Sequence, residues 1–595
     1  MSLQANLSIR ELLANHPQTR FVFDRYGLKG CGGAEGPAES LGFFARAHGV
    51  KLDVLLIELE QAIENPESVS SNEKVDAADS IYRRFFKAGI LTTLTAGAVW
   101  GALLLIQIGF KSSFTAISIF DVNAHGHAQI FGWVGLFVMG FAYQAFPRFR
   151  HTTLWNPPLA LLSFYLMIIG LIVRVFSEPL HQTTPFFWLG VLGGVLELVA
   201  ILLFVIIILR TVQQSQKPLL AYDYYIGAAL FWFVVQAALD LFHLFQTTNA
   251  PNRELLLSQV ATWQAPLRDI QIHGFAMTMI LGVSQRFFPG MLGFPEISKR
   301  RSLASLVAIF LGVAGEATFF IVFRKTGQHL YAGVMYGFML IMVAGAVGLT
   351  SVWWTSFWGK SDFNPPEIEE DRADRSFKFI RTAYGWLYVS LALLLFVPFY
   401  NVLTRQPFSH AYYGATRHAI TVGFISLMIM GVAAKVVPVL NGVDSKNLSR
   451  LWLPFVLVNT GCTLRVGVQI LTDLLPKAFL VIGLSGVLEV TGLAIWAGGI
   501  WRVMRSGVAA FEPSRETLLK SGSVTPLDKV GDVVMAAPEL IEVFVRFGFK
   551  AIRNPVLRRT VARQTSIRQA CKLQGIDEAE LLSAINSTLK PNPAS

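Results

Sequence analysis

Two histidines lie at matching positions of an internal repeat, where together they could bind one iron. Counting from His127, glycines follow at +5 and +13 and a proline at +20, and the same residues follow His418 at the same offsets. Imidazoles from two facing helices form the ligand set of a six-coordinate haem. His125, two residues before His127, competes with it for the first position. In the alternative interpretation, each histidine caps its own helix or hydrogen-bonds a neighbouring one.

Two arginines form a second matched pair. Arg174 and Arg465 each lie 47 residues after the histidine of their repeat. A guanidinium buried in a membrane needs an anionic partner, and haem propionates would accept its hydrogen bonds. Acidic residues also recur in these two copies, as Glu197 and Glu489, and they are the alternative partners. The sequence leaves both pairings open.

A third copy of the pattern begins at Asp269, which stands where the other copies have histidine. Glu316 replaces the arginine, and His273 follows Asp269 by about one helical turn. His243, in the preceding hydrophobic stretch, could reach the same depth. We therefore expect Asp269, His273 and His243 to bind a second metal, copper or non-haem iron. Alternatively, these residues line a polar cavity or hydrogen-bond one another.

A cysteine between glycines is the candidate redox thiol. Cys31 lies in the run Lys-Gly-Cys-Gly-Gly, and flanking glycines leave a thiol open to a metal, a persulfide or an oxidant. A second copy of this region, near the carboxy terminus, has Ile552 at the matching position, so the fold does not require the thiol. An incidental exposed cysteine is the alternative. With three cysteines in all, the chain cannot form a disulfide scaffold or a tetrathiolate metal site.

The elements that position these residues are transmembrane helices. Of 595 residues, 53% are hydrophobic and 15% are charged, and the mean hydropathy is +0.49. Apolar stretches of about 20 residues, the length that crosses a bilayer, recur about twelve times. Backbone amides in lipid must be paired within the protein, so the spans must be helical. The sequence predicts an all-α polytopic membrane protein.

The three aligned copies divide this membrane domain into three tandem four-helix units. Basic residues flank the spans on one side of the resulting even-numbered topology, which predicts an inner-membrane protein with both termini in the cytoplasm. The net charge of +11 resides largely in these flanking residues. It therefore indicates contact with membrane lipid and not with nucleic acid.

Two small helical domains are predicted at the ends of the chain. The predicted boundaries are 1–64 for the amino-terminal domain, 65–86 for a linker, 87–505 for the membrane domain, 506–524 for a second linker and 525–590 for the carboxy-terminal domain. Both domains carry matching residues at equal offsets, which predicts a common fold. The matching pairs include Gly27 and Gly548, Ser40 and Ser566, and Gly49 and Gly575. Polar composition predicts flexible linkers at Asn65 to Ser80 and Glu512 to Val524.

The motifs around two of the histidines resemble those of a known family. The residues from His125 to Gly132, with the later proline, and the run from Arg417 to Gly423 resemble the NnrS family. Members of this family are membrane proteins that contain haem and copper and are linked to nitric oxide in denitrifying bacteria. The three four-helix units are similar to subunit I of haem–copper oxidases and nitric oxide reductases, in which the second, sixth and tenth helices supply the metal ligands. Thr416 stands where such an oxidase has histidine, which argues against a full oxygen-reducing binuclear centre.

The amino-terminal run from Tyr26 to Gly33 resembles the front domain of ScdA-type iron–sulfur repair proteins. The carboxy-terminal domain resembles a related small domain. These resemblances imply a function in nitrosative or oxidative stress and a cytoplasmic iron–sulfur or sulfur-handling partner. They do not indicate the electron donor.

Three functions are compatible with these residues. The first is a haem-binding redox protein of the inner membrane that acts on nitric oxide or senses it, with iron bound by His127 and His418. The second is a catalytic nitric oxide or oxygen reductase, which needs an open coordination position and a second metal near His273. The third is a small-molecule transporter whose polar residues line a pathway.

Overall fold

The computed structural model describes residues 3–29, 31–32, 36–64, 80–180, 183–359, 375–406, 408–443, 451–505, 524–526, 528–554, 558, 562 and 565–589. Apart from their last residues, the two predicted linkers lie outside this part of the chain. Residues 1–507 form one unit and residues 508–595 a second unit.

The amino-terminal domain is a small cluster of four helices. They are α1 (Ile9–Asn15), α2 (Arg20–Arg25), α3 (Leu41–His48) and α4 (Leu52–Glu64). Phe23 and Phe44 meet edge to face at its centre, with ring centroids 5.2 Å apart. Ser40 caps α3 by accepting the amide hydrogen of Phe43, and Gly49 ends that helix in the left-handed conformation. Helix α3 therefore begins and ends where its capping residues predict.

The membrane domain consists of twelve helices in the part of the chain that the structure describes. Eleven are long and apolar enough to cross a membrane. These are α5 (Tyr82–Lys111), α6 (Ile119–Phe149), α7 (Pro157–Ser177), α8 (Thr184–Gln213), α9 (Ala221–Thr248), α11 (Lys299–Thr326), α12 (His329–Trp358), α13 (Phe377–Thr404), α14 (His410–Leu440), α15 (Trp452–Leu471) and α16 (Pro476–Arg505). The remaining helix, α10, covers residues 253–292 and is more polar, with Arg268, Asp269 and His273 along its length. The predicted all-α membrane fold is confirmed.

The second and tenth spans begin earlier than expected. Hydropathy places their starts near Ala128 and at His418, whereas α6 begins at Ile119 and α14 at His410. His127 and His418 therefore lie within their helices and not at the starts that hydropathy predicts. Each is the ninth residue of its helix, because the polar first turns pack inside the bundle and are not excluded from it.

The helices pack as three equivalent units. In each unit the first helix contacts the second and the third contacts the fourth, so that α7 pairs with α8, α11 with α12 and α15 with α16. Helix α16 also packs along α5, which joins the last unit to the first. The second helices of the units, α6, α10 and α14, share a further feature. Each widens to a π-helix at the same offset, over Ala128–Gly135, Ile270–Met277 and Ala419–Ser426.

Glycines at matching positions allow this packing. A Cβ added at Gly170 would lie 2.7 Å from the Gly193 carbonyl oxygen on the next helix, and Gly312 and Gly461 stand equally close to their partner helices. Membrane helices gain stability by such close approach, which a side chain would prevent. The glycines of the repeat therefore mark the contact between the third and fourth helices of each unit.

Substitution of one such glycine is expected to destabilise the bundle. A Cβ in Gly461→Ala would lie 2.8 Å from the Ser485 carbonyl oxygen, and overpacking of this kind costs about 1–3 kcal/mol. Gly467→Ala on the same helix is the matched control, because a Cβ there meets nothing within 4 Å. We expect a lower unfolding temperature for the first variant only, measured by tryptophan fluorescence in detergent. Equal unfolding temperatures would contradict the packing account.

The amino-terminal domain contacts the membrane domain at one end, which we call the basic end and define by Arg148, Arg286 and Lys435. These residues lie in the last two turns of α6, α10 and α14. Arg286 donates a hydrogen bond of 2.8 Å to the Ala47 carbonyl, and Arg148 donates to the Lys29 carbonyl. Lys435 lies 4.0 Å from the Glu39 carboxylate. The domain therefore contacts the same end of the second helix of each unit.

Two histidines in this interface stay neutral at physiological pH. His151, just after α6, donates to the His48 carbonyl at 2.9 Å. Burial and the neighbouring charge of Arg286 lower the pKa of His48 to about 3. Burial and the charge of Lys217 lower the pKa of His151 to about 4. Both values lie below the ordinary value of about 6.5, so the folded interface disfavours the protonated rings.

The stability of this interface should therefore depend on pH. Between about pH 4 and 6.5 the unfolded chain binds more protons than the folded chain. The contribution of this interface to the free energy of unfolding is therefore greatest above this range, and it decreases as the pH falls through it. Each unit of pKa shift corresponds to about 1.4 kcal/mol. We expect the thermal midpoint of the protein to fall between about pH 7.5 and 5, and to fall less in the double variant His48→Gln, His151→Gln. The control is His329→Gln, whose imidazole is exposed; identical slopes in all three proteins would exclude this interface as the pH-sensitive element.

The carboxy-terminal unit is a second small helical cluster, described by itself. Its helices are α17 (Val530–Ala536), α18 (Leu540–Arg546), α19 (Ile567–Gln574) and α20 (Glu578–Leu589). Gly548 and Gly575 have positive φ angles of 94° and 66°, and their predicted counterparts Gly27 and Gly49 have 95° and 65°. An isolated bridge joins Lys529 to Ser566 here, as one joins Ser8 to Ser40 in the amino-terminal domain. The two small domains thus share their turn geometry.

Candidate functional site

His127 is enclosed by carboxylates. Its side chain is 1% exposed, and its Nε2 lies 2.9 Å from each oxygen of Glu197 on α8. Its Nδ1 lies 3.2 Å from Asp240 on α9. Both ring nitrogens therefore face acidic groups from neighbouring helices. This arrangement favours the alternative interpretation from sequence, in which the histidine forms hydrogen bonds to side chains of neighbouring helices.

Arg174 belongs to the same cluster. It forms an ion pair with Glu178 one turn later on the chain, and its Nη2 lies 3.5 Å from Asp240. Glu197, the alternative partner from sequence, instead pairs with His127. Sequence reasoning missed Glu178 and Asp240 as partners. The spacing of four residues between Arg174 and Glu178 is the signal that could have revealed the first of these ion pairs.

His125 and His418 have a different environment. The Nδ1 of His125 pairs with the Gly97 carbonyl at 2.9 Å, and the Nδ1 of His418 with the Gly414 carbonyl at 2.8 Å. A ring whose Nδ1–H donates to a carbonyl keeps Nε2 as the nitrogen with a free lone pair. Both rings are only partly covered by protein, in contrast to His127. Histidines that bind metals are held by this kind of backbone hydrogen bond.

The two rings are close enough for their charges to interact, and Arg465 acts on both. Its Nε and Nη1 are buried and have no hydrogen-bond partner among the described residues. One carboxylate oxygen of Glu489, its electrostatic neighbour, is also buried without such a partner in the described chain. The guanidinium therefore keeps donors available for an anion, as the first of the two sequence interpretations requires.

Space for the His125 ring comes from a glycine on α5. A Cβ added at Gly101 would lie 2.4 Å from the His125 Cε1 atom. His125 and His127 are two residues apart on one helix, so their side chains point about 200° away from each other. One of them faces Glu197 and Asp240, and the other faces α5 and the region of His418. We therefore define His125, His418 and Arg465 as the two-histidine site.

The predicted second metal site is divided between two places. Asp269 binds Arg417 at 2.5 Å, and its carboxylate lies 3.8 Å from the His273 Nδ1. Glu316 is an electrostatic neighbour of Asp269. His243 is instead adjacent to Asp240, in the electrostatic neighbourhood of the His127 cluster. Within the described residues, no three His, Cys, Asp or Glu side chains are arranged to bind a metal, and a second metal at His273 stays a prediction.

Cys31 is not open, which corrects the expectation drawn from its flanking glycines. Its side chain is 6% exposed, and Arg148 donates a hydrogen bond from Nε to its sulfur at 3.3 Å. The reason is the contact between the amino-terminal domain and the basic end, which covers the turn that carries the thiol. A redox role for Cys31 stays a prediction, and it would require this contact to open.

Comparisons with known proteins add the following. The profile described as "NnrS protein" matches residues 80–506, and that described as "Domain of unknown function (DUF1858)" matches residues 524–582. A solved structure, a cryo-EM structure of a heme-copper terminal oxidase dimer, is similar to 86% of this chain and 99% of its own, with 14% sequence identity and a TM-score of 0.42. No curated protein matches the chain.

Proposed function

Because the chain belongs to the NnrS family, whose profile covers residues 80–506, we propose that it is a haem-binding redox protein of the inner membrane. The proposed ligands of the iron are His125 and His418, and the proposed process is the metabolism or sensing of nitric oxide. The observation that carries this proposal is the pair of partly covered imidazoles, each fixed through Nδ1 with Nε2 left free.

The residues of the two-histidine site fit a haem by their chemistry. Two neutral imidazole nitrogens are the ligands that a six-coordinate haem iron takes. Arg465 supplies two buried N–H groups without partners in the described residues, and a propionate would satisfy them. Glu489 is the electrostatic neighbour of this guanidinium. Buried N–H donors without a hydrogen-bond partner are nevertheless costly in a membrane interior, which supports an anionic ligand at this place.

A haem at this site would supply an iron that exchanges electrons and has an affinity for nitric oxide. His125 and His418 would orient the iron, and Arg465 would neutralise charge at its edge. The His127 cluster would hold α6 against α8 and α9 through its ion pairs and so fix the direction of His125. An iron held by both His125 and His418 would favour electron transfer over direct reduction of a substrate, and binding of nitric oxide would require one of the two histidines to leave.

Substitution of the three histidines one at a time distinguishes iron ligation by His125 and His418 from ligation by His127 and His418. His125→Ala and His418→Ala should each lose the low-spin haem spectrum, because each removes one of the two residues that would hold the iron. His127→Ala is the matched control on the same helix, and it should keep that spectrum with lower thermal stability, because it leaves Glu197 buried without its hydrogen-bond partner and Asp240 with Arg174 alone. The measurement is the absorption spectrum and haem content of the purified variants.

The reverse pattern, with haem lost in His127→Ala and kept in His125→Ala, would contradict the assignment. A purified wild-type protein without haem would exclude the redox function and favour a transporter. Copper analysis of the same samples, with His273→Ala beside the wild type, tests the second metal and with it the reductase alternative.

A further inference from the structure

An apolar cavity lies among α6, α10 and α14, away from the two-histidine site. Its volume is about 80 Å³. Matching positions of the three repeats line it, at +10 and +14 from the first residue of the pattern. These are Phe137, Met279 and Met428, and then Phe141, Val283 and Val432. The cavity therefore lies on the axis that relates the three units, and we call it the axial cavity.

The apolar lining of the cavity determines which class of ligand could bind there. Fourteen of the fifteen residues that line the cavity are hydrophobic, and the other is Ser284. A water molecule needs two to four polar partners, which the lining of this partly open, apolar cavity does not supply. Apolar cavities of about 150 Å³ bind benzene or xenon, and one of about half that volume suits a single atom or a diatomic molecule.

The cavity lies between two other features of the second helices, the histidine layer and the basic end. Ten residues along a helix separate its first layer from the histidine layer, which is about 15 Å. On its other side, the last turns of the same three helices form the basic end. There, the amino-terminal domain contacts Arg286 and, beyond it, Gly442, whose carbonyl accepts a hydrogen bond from Arg10. The cavity therefore lies between the histidine layer and the contact with the amino-terminal domain.

We infer that the axial cavity is a binding site for one small apolar molecule, of the class that includes nitric oxide, dioxygen and xenon. Its natural occupant would be nitric oxide, and this part of the inference rests on the proposed function. The cavity itself follows from the packing of the three units and requires no metal. Such a site would hold the gas within the same bundle as the two-histidine site.

Xenon tests the site directly, because it is apolar, monatomic and visible by anomalous scattering. Crystals of the full chain under xenon pressure should show a peak among Phe137, Val283 and Met428. Val283→Phe should abolish that peak by filling the space, and Ala433→Leu should do so from a different helix if the first variant does not fold. Leu311→Phe is the control, since Leu311 is 52% exposed on the outside of the bundle and the peak should persist.

Absence of a peak in the wild-type cavity, or a peak that persists in the filled variants, would overturn the inference. Xenon needs no iron, so the result is independent of haem content. A peak in a protein that purifies without haem would leave the cavity site standing and remove nitric oxide as its occupant.

Discussion

Charged and polar groups inside a membrane protein must find partners, and this constraint determines which clusters of the bundle are structural and which are sites. An unpaired buried ion is costly, so a cluster that is complete in the folded chain has little capacity left for a ligand. His127, Glu197, Asp240 and Arg174 form ion pairs with one another, and among their nitrogens the His127 Nδ1 and the Arg174 Nε lack a hydrogen-bond partner within the described residues. His125, His418 and Arg465 keep donor or ligand atoms without partners in the described residues. One cluster is held together by ion pairs, and the other keeps ligand nitrogens free. This contrast between His127 and His125, two residues apart on α6, is the basis of the proposed haem site.

The threefold repeat supplies the scaffold on which this contrast is built. Glycines bring the helices together at equivalent places, and a π-helix follows the first residue of the pattern in each copy. Because the backbone repeats and the side chains do not, one layer holds histidine in two copies and aspartate in the third. Further along the same helices, fourteen of the fifteen residues that line the axial cavity are apolar. The equivalent packing of α6, α10 and α14 thus places a polar layer and an apolar layer along one axis.

The fold was predictable because its signals are local. Apolar stretches of sufficient length, with glycines and prolines at regular spacing, indicate the helices and the repeat without knowledge of any long-range contact. The choice between His125 and His127 was not predictable, since it depends on carboxylates that α8 and α9 bring to one face of α6. The burial of Cys31 depends likewise on a contact between two domains that are far apart in sequence. Polar first turns, as in α14, conceal the true start of a helix from hydropathy.

The central claim is that one iron is bound between His125 and His418 while His127 stays in its carboxylate cluster. A cryo-EM map of the full-length protein, purified with its natural cofactors, tests this claim most directly. The account predicts density for a planar macrocycle between the Nε2 atoms of His125 and His418, with Arg465 at its edge and His127 still beside Glu197. A macrocycle bound by His127, or side-chain contacts in place of any cofactor at His125 and His418, would contradict it.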